Sequence, residues 1–389
     1  MTPGDAGRRK LVVAGISVRA LAESARQGGW EVVALDLFGD TDTRRASAHW
    51  ASIGEPSALR IDPARLRHEL QQAARLPGVD GWVPASGFEG APELLAAGGA
   101  ALPCLAIEPS AMARIRDPAS FFGVLDRHRL AHPQVSLDPP AGLAGWLAKR
   151  AGGSGGLHIR DASRADRHAD TYFQRRQPGM PMSALFVADG DRFQVVALNR
   201  LIVRGVWPLP HVYAGAIGPV RDDGLEQAVD RALSVLVPEF SLRGLGSLDF
   251  LADGSQAHWL EVNPRPSATL QLHADAWPTG LVRVHIDAVR GRLPATAPRR
   301  DPGVRGHLTV FADRSGLVGG PSLLDDADDP NVHDLPAPGS RFALGEPICT
   351  VGAQAGDVEE ALRLLSARAT RTRRRFAPRR VLPVEESPA

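Results

Sequence analysis

Residues 246–265 read Gly246-Ser-Leu-Asp249-Phe-Leu-Ala-Asp253-Gly-Ser-Gln-Ala-His-Trp-Leu-Glu261-Val-Asn263-Pro-Arg265. Two runs rich in apolar residues flank Asp253-Gly254, a pair that favours the tight turn of a β-hairpin. With a side-chain period of two, Asp249, Glu261 and Asn263 fall on one face, and Leu248, Phe250, Leu260 and Val262 on the other. Asp249 and Glu261 then stand opposite each other across the hairpin. Two facing carboxylates repel unless a cation lies between them, and hard oxygen donors with room for water and phosphate suit Mg²⁺. Arg265 keeps the same parity and offers a planar fork for an oxyanion.

Upstream lies Leu147-Ala-Lys149-Arg-Ala-Gly152-Gly153-Ser154-Gly155-Gly156-Leu-His-Ile159. A strand delivers a lysine, and four glycines then free the backbone to wrap an anion with its N–H groups. Only two of the 45 basic residues are lysines, Lys10 and Lys149, so a lysine at this spot carries weight. The order is not that of a Walker loop, in which the lysine follows the glycines.

The N-terminal hundred residues alternate apolar bursts with helical periodicity: Leu11–Ile16, a helix over 17–28, and a second strand over 30–36. This is the grammar of βαβ units on a parallel sheet. Further strands are expected at 81–84 and 103–107, and a helix at 63–76. Gly15 and Asp36 are spaced as in a dinucleotide fingerprint, but the second and third glycines are missing, so no such site is expected. Helices over 110–129 lead to a strand-dominated region: 146–149, 157–159, 171–174, 183–188 and 194–203. A helix follows at 223–237, then the hairpin, and a last helix at 357–368.

The lysine and glycine loop, the later aspartate strand and the Glu-x-Asn-x-Arg strand together resemble the ATP-grasp superfamily, over roughly residues 10–365. The Glu261-x-Asn263-x-Arg265 form resembles biotin carboxylase and carbamoyl-phosphate synthetase more than peptide-type ligases. The resemblance implies a mixed α/β ATP-grasp fold with a Rossmann-like N-terminal domain, ATP and Mg²⁺ as cofactors, and an ATP-dependent ligase activity. It implies Asp249, Glu261 and Asn263 as metal ligands, Lys149 and Gly152 to Gly156 on the phosphates, and Gln174, Arg175, Arg176 and Gln177 as the adenine linker. Arg265 and Lys149 would be catalytic. Glu89, in Gly87-Phe-Glu89-Gly, would grip an amine, and Tyr213 and Gly215, in the segment from Trp207, would lie near the acceptor. Three features depart from the pattern, one of them Ser247 where an arginine can precede the magnesium aspartate. Asp117 is followed by Pro118 where a second ATP lysine is usual, leaving Arg114 or Arg116 as its substitute. No acid follows the linker to hold the ribose.

A narrower similarity, through Gly15-Ile-Ser17-Val-Arg19, Asp36 to Asp42, Ser86 to Glu89 and Gly345 to Val351, is to predicted ATP-dependent carboligases encoded beside methylotroph tetrahydromethanopterin genes. It implies a carboxylate–amine ligase in the biosynthesis of a C1 carrier. Alternatives are a carboxyphosphate-forming carboxylase and a nucleotide-binding protein that has lost catalysis.

Five segments are expected: 1–108, 109–182 with the phosphate loop, 183–300 with the metal site, a strand-rich 301–368, and a disordered basic tail over 369–389. A chain of 389 residues exceeds one ordinary core, and its formal net charge of +1 supplies no field for nucleic acid or anionic membrane. Cys104 and Cys349 form neither a CxxC pair nor a zinc pattern. No apolar run is long enough to span a bilayer, and a cytoplasmic location is expected. The partners expected are a small carboxylate and a small amine, with a homodimer left open.

Overall fold

The computed structural model describes residues 9–166, 168–206, 209–295, 303–317, 329–337 and 339–375. The N-terminal layer is a parallel four-stranded sheet of β1 (Lys10–Ala14), β2 (Glu31–Asp36), β3 (His49–Ser52) and β4 (Val79–Pro84), in the order β3-β2-β1-β4. It carries α1 (Arg19–Gln27), α2 (Thr41–Ala46), α3 (Pro63–Ala73) and α4 (Pro92–Ala101). Strands buried on both faces need the near-continuous apolar runs seen in the sequence, and Leu11, Val12, Val13 and Ala14 are all fully buried. Asp36 is buried as well. It accepts from Trp50 Nε1 at 2.8 Å and Gly39 N at 2.9 Å, a structural tie that replaces any ribose contact. The strand expected at 103–107 shrinks to one bridge between Cys104 and Trp82.

Two helices, α5 (Pro109–Arg116) and α6 (Pro118–Arg127), follow. Asp117 caps α6 by accepting from Ser120 N at 2.8 Å, and Pro118 occupies the first helical turn, where its missing N–H costs nothing. The Asp-Pro pair is therefore a helix start. A small antiparallel sheet comes next: β5 (Val135–Ser136), β6 (Trp146–Arg150), β7 (Arg160–Asp161) and β8 (Thr171–Arg175), in the order β5-β8-β6-β7. Residues 157–159, expected as a strand, form turns instead, since the preceding glycines reverse the chain.

The largest sheet has eight strands: β9 (Met180–Asp189), β10 (Phe193–Val206), β11 (Leu209–Val220), β12 (Arg243–Asp253), β13 (Gln256–Asn263), β14 (Val304–Phe311), β15 (Val332–His333) and β16 (Pro347–Ala355). Their order is β13-β12-β9-β10-β11-β14-β16-β15, so the C-terminal strands extend the same sheet through β11 and β14. Helix α7 (Asp223–Phe240) is capped by Asp222, whose carboxylate accepts from Leu225 N at 3.0 Å. Its residues Val229, Leu233, Leu236 and Phe240 pack with Phe250, Trp259 and Val262 of the hairpin in the main core. Each such side chain contributes roughly 1.5–3 kcal/mol on burial. Helix α8 is Leu281–Val289, and α9 (Val358–Arg375) covers the outer strands and runs seven residues beyond its expected end at Arg368. The rest of the basic tail, 376–389, lies outside the described residues. No helix among the described residues is long and apolar enough to cross a membrane.

Candidate active site

The hairpin β12–β13 turns at Asp253-Gly254 and pairs Asp249 with Glu261 and Ser247 with Asn263. A β-bulge follows Asp249, so Phe250 opposes Trp259. The bulge exchanges two expectations. Trp259 joins the core, and Leu260, expected there, lines a small open pocket beside Arg116, Tyr172 and Glu261. The polar face survives the irregularity because it lies on the Asn263 side of the bulge.

On that face Asn263 Nδ2 donates to Asp249 Oδ2 at 3.1 Å and lies 3.5 Å from Glu261 Oε1. Ser183, paired with Asp249 across β9, donates its hydroxyl at 2.6 Å. Burial pushes the Asp249 carboxyl up, and the Glu261 charge opposite adds to the shift. Burial alone would also raise Glu261, but Arg116 and Lys149 hold it below the usual carboxylate range. The two acids thus resist ionising together, as a carboxylate pair awaiting a cation does.

Lys149 is on β6, opposite Tyr172, and only 5% exposed. Among the described residues its ammonium makes no hydrogen bond or ion pair. Burial lowers its pKa, and the charges of Glu261 and Asp249 act the other way. A buried, unpaired lysine beside two acids is an open position for an anion. The register also puts Gln174, opposite Leu147, on the same face of the small sheet as Lys149. Gln174 is 2% exposed and its Nε2 has no partner. Arg175 and Arg176 are exposed, bonded to Ala144 O and Asp161, and Gln177 is half-buried beside them.

Of the two arginines left open, Arg116 is the one that lies beside Glu261 and the glycine loop. Its Nη1 lies 3.1 Å from Glu261 Oε2, and its Nη2 donates to Ala151 O at 2.9 Å and Gly153 O at 2.6 Å. Arg114 faces away, over the Phe240 ring, donating to Glu239 O. Arg116 therefore joins the metal face to the glycine loop. That loop is close-packed: a Cβ on Gly152 would lie 2.6 Å from Gly90 Cα, and one on Gly156 1.7 Å from His211 O. Gly155 O accepts from Tyr213 N at 2.9 Å. His158, stacked against Gly153, is kept neutral by burial, its pKa falling to about 4.

Arg265, just past the hairpin, reaches back to the N-terminal layer. Its Nε donates to Glu89 Oε1 at 2.5 Å, and Gly87 N donates to the other oxygen at 2.7 Å. Glu89 is buried, and both its oxygens have partners within the chain. Tyr213 Oη is 2.7 Å from His307 Nε2. Burial and the Asp249 charge raise the phenol's pKa, and Arg265 opposes them, which puts Tyr213 between the metal face and His307. Gly215 has no room for a side chain against His307 O. Trp207 and Pro208, from the expected acceptor segment, lie outside the described residues. Ser183, Tyr172, His158 and His307 are site residues that the sequence did not single out. The parity of Ser183 with Asp249 is readable only once their strands are known to pair.

Residues 119–269 match the family model described as ATP-grasp domain. No curated protein sequence matches the chain. Among solved structures, the chain is similar to the biotin carboxylase–βγ-ATP complex of Campylobacter jejuni, with 14% identity, 93% of this chain and 90% of that chain covered, and a TM-score of 0.69. The biotin carboxylase domain dimer of Hydrogenobacter thermophilus 2-oxoglutarate carboxylase, in complex with MgADP, ADP and bicarbonate, gives 13%, 92% and 89%, and 0.68. Carboxyaminoimidazole ribonucleotide synthase of Aspergillus clavatus, complexed with ATP, gives 17%, 95% and 99%, and 0.66. Over residues 119–269 the chain is similar to the ATP-grasp domain, and the chain as a whole has the fold of these solved ATP-grasp structures.

Proposed function

We propose that the protein is an ATP- and Mg²⁺-dependent ligase that joins a carboxylate to an amine through an acyl phosphate. The observation that carries this reading is the buried, unpaired Lys149 facing the convergent Asp249, Glu261 and Asn263. In this reading Asp249, Glu261 and Asn263 hold Mg²⁺, which when bound neutralises phosphate charge and orients the transferred group. Lys149 and Arg116 contact the phosphates, Arg116 in the role of the missing lysine, and the loop from Gly152 to Gly156 closes over them. The stretch Gln174 to Gln177 lies along the adenine, with the Gln174 amide as an unspent donor.

The substrate carboxylate oxygen takes the γ-phosphoryl group and ADP leaves. The neutral amine then attacks the carbonyl carbon, gives up a proton, and expels inorganic phosphate. Arg265 stabilises the oxyanion of that attack, and Glu89 holds Arg265 in place. Tyr213 and Gly215 border the acceptor. The segments 1–108, 109–182, 183–300 and 301–368 serve as substrate-binding layer, phosphate lid, metal platform and closing strands of a cytoplasmic enzyme. The narrower similarity favours a role in making a C1 carrier of the tetrahydromethanopterin or methylofuran type.

A second reading has bicarbonate as the carboxylate and carboxyphosphate as the intermediate, favoured by the likeness to a carboxylase solved with bicarbonate. Release of ADP from Mg-ATP, measured with a panel of amines and of carboxylates including bicarbonate, separates the two. Loss of ADP release in Glu261→Ala is expected. No binding of Mg-ATP, or an unchanged Glu261→Ala, rejects both.

A further inference from the structure

A second polar cluster lies where the N-terminal layer meets the outer strands of the large sheet. On β14, β16 and β15 the register aligns His307 with Gly352 and His333 with Thr350, on the face opposite the apolar residues that pack under α9. Against this face come the start of α1 and the loop from β2 to α2. Arg19, only 3% exposed, donates through Nε to Asp334 at 2.7 Å, through Nη1 to Glu23 at 2.8 Å and through Nη2 to Gln271 at 2.6 Å, and it lies 3.5 Å from Asp42. Asp42 in turn accepts from Asp334 N at 2.7 Å and Leu335 N at 3.2 Å.

One member of the cluster is left out of this network. Asp40 is 8% exposed, and among the described residues its carboxyl makes neither a hydrogen bond nor an ion pair. It is pushed up to about 8 by burial and by the charges of Asp334, Asp36 and Asp42, with Arg19 opposing, so it lies among them. Its oxygens keep a narrow exposure and no partner from the described residues, so they remain free to meet a ligand. His307, on the opposite wall, supplies an independent second sign. Its Nε2 is taken by Tyr213, its Nδ1 has no partner, and it feels the charges of Asp334, Arg19, His333 and His273. A carboxyl without a protein partner and a buried ring nitrogen without one thus come from different elements to the same cluster.

We infer that this chamber is a recognition site for a primary ammonium group, that of the amine substrate. An ammonium brings one positive charge and three donors, enough to serve the Asp40 carboxyl and a further acceptor of the chamber such as the His307 ring nitrogen. A divalent metal fits less well. Glu23, Asp42 and His333 lie close enough together to share an ion, but the Arg19 guanidinium already bonds Glu23 and approaches Asp42. The chamber is joined to the metal face by Tyr213, whose hydroxyl meets His307 on one side and whose ring feels Asp249 and Arg265 on the other. The nature of the ligand rests on the ligase reading above, whereas its binding is measurable without turnover.

The test is calorimetric titration of the full chain with 1,4-diaminobutane, which presents an ammonium in either orientation. 1,4-Butanediol is the uncharged control and MnCl₂ the metal control. Saturable diamine binding is expected, absent for the diol and at least tenfold weaker in Asp40→Asn, a substitution that breaks no contact in the fold. Absence of diamine binding to the wild-type chain overturns the inference, as does equal affinity in Asp40→Asn. So does Mn²⁺ binding that requires Asp40 while the diamine is ignored. Mg-ATP titrated into the same wild-type sample reads the ligase proposal separately. Diamine binding without ATP binding retains the ammonium site and removes the ligase, and ATP binding without diamine binding does the reverse.

Discussion

Arg265 and Glu89 form an ion pair across 176 residues of chain, with Nε 2.5 Å from Oε1 and the two side chains 11% and 1% exposed. The arginine belongs to the strand end that follows the metal face, and the glutamate to a loop of the N-terminal layer. Gly87 makes that loop possible, because it has a φ of 109° and its Cβ would lie 2.9 Å from Ile16 Cγ1. The pair therefore couples the N-terminal layer to the end of the hairpin. Glu89→Gln is expected to keep the hydrogen bond and lower kcat for ADP release at least tenfold, with the KM for ATP nearly unchanged. Glu89→Ala strands the arginine charge, at a cost of about 3–5 kcal/mol in urea unfolding. A fall in ATP affinity matching the fall in kcat would instead place Glu89 in nucleotide binding.

Arg116 ties Glu261 to the carbonyls of Ala151 and Gly153. Arg116→Ala is expected to weaken Mg-ATP binding about 10–100-fold, the equivalent of one or two charged hydrogen bonds. Arg116→Lys is expected to recover part of this, since a point charge replaces a fork that reaches four oxygens, those of Glu261, Val262, Ala151 and Gly153. Arg114→Ala, two residues away on the outer face, is the comparison, with unchanged ATP affinity. Equal losses at both positions, read by equilibrium ATP titration, would remove Arg116 from the site.

The hairpin and its polar face were legible because strand alternation is rigid: once Asp253-Gly254 turns the chain, the facing of Asp249, Glu261 and Asn263 follows. Lys149 was legible because it is one of two lysines and precedes a run of glycines. Arg116 was legible only as half of a choice, since two residues on a helix point roughly 200° apart and the sequence does not say which side faces the cleft. The exchange of Trp259 for Leu260 depends on a bulge that leaves no mark in composition. The Arg19–Asp334 bond spans 315 residues, and no local pattern announces a partner at that distance.

Asp40 gives the stability a sign with pH. Its carboxyl is raised from 3.8 to about 8, chiefly by burial, so between these values the folded state holds a proton that the unfolded state has lost. Its contribution is complete below about pH 4 and falls as pH rises toward 8, with a slope of at most about 1.4 kcal/mol per pH unit. Urea midpoints for the wild type are expected to fall relative to Asp40→Asn across pH 4.5–8. Parallel curves would show that Asp40 titrates normally.

Gly155 and Gly156 are adjacent, both with positive φ (64° and 76°), yet they differ in surroundings. A Cβ on Gly155 meets nothing within 4 Å, whereas one on Gly156 would sit 1.7 Å from His211 O. Gly155→Ala therefore suffers only backbone strain, about 1–2 kcal/mol, and the loop keeps its seat on β11. Gly156→Ala must lift the loop off β11, since a backbone carbonyl cannot swing aside as a side-chain tip does. If the loop closes over phosphate from this seat, Gly156→Ala raises the KM for ATP at least tenfold and Gly155→Ala less than threefold. Equal effects would mean that backbone freedom, rather than close packing on β11, is what the loop requires.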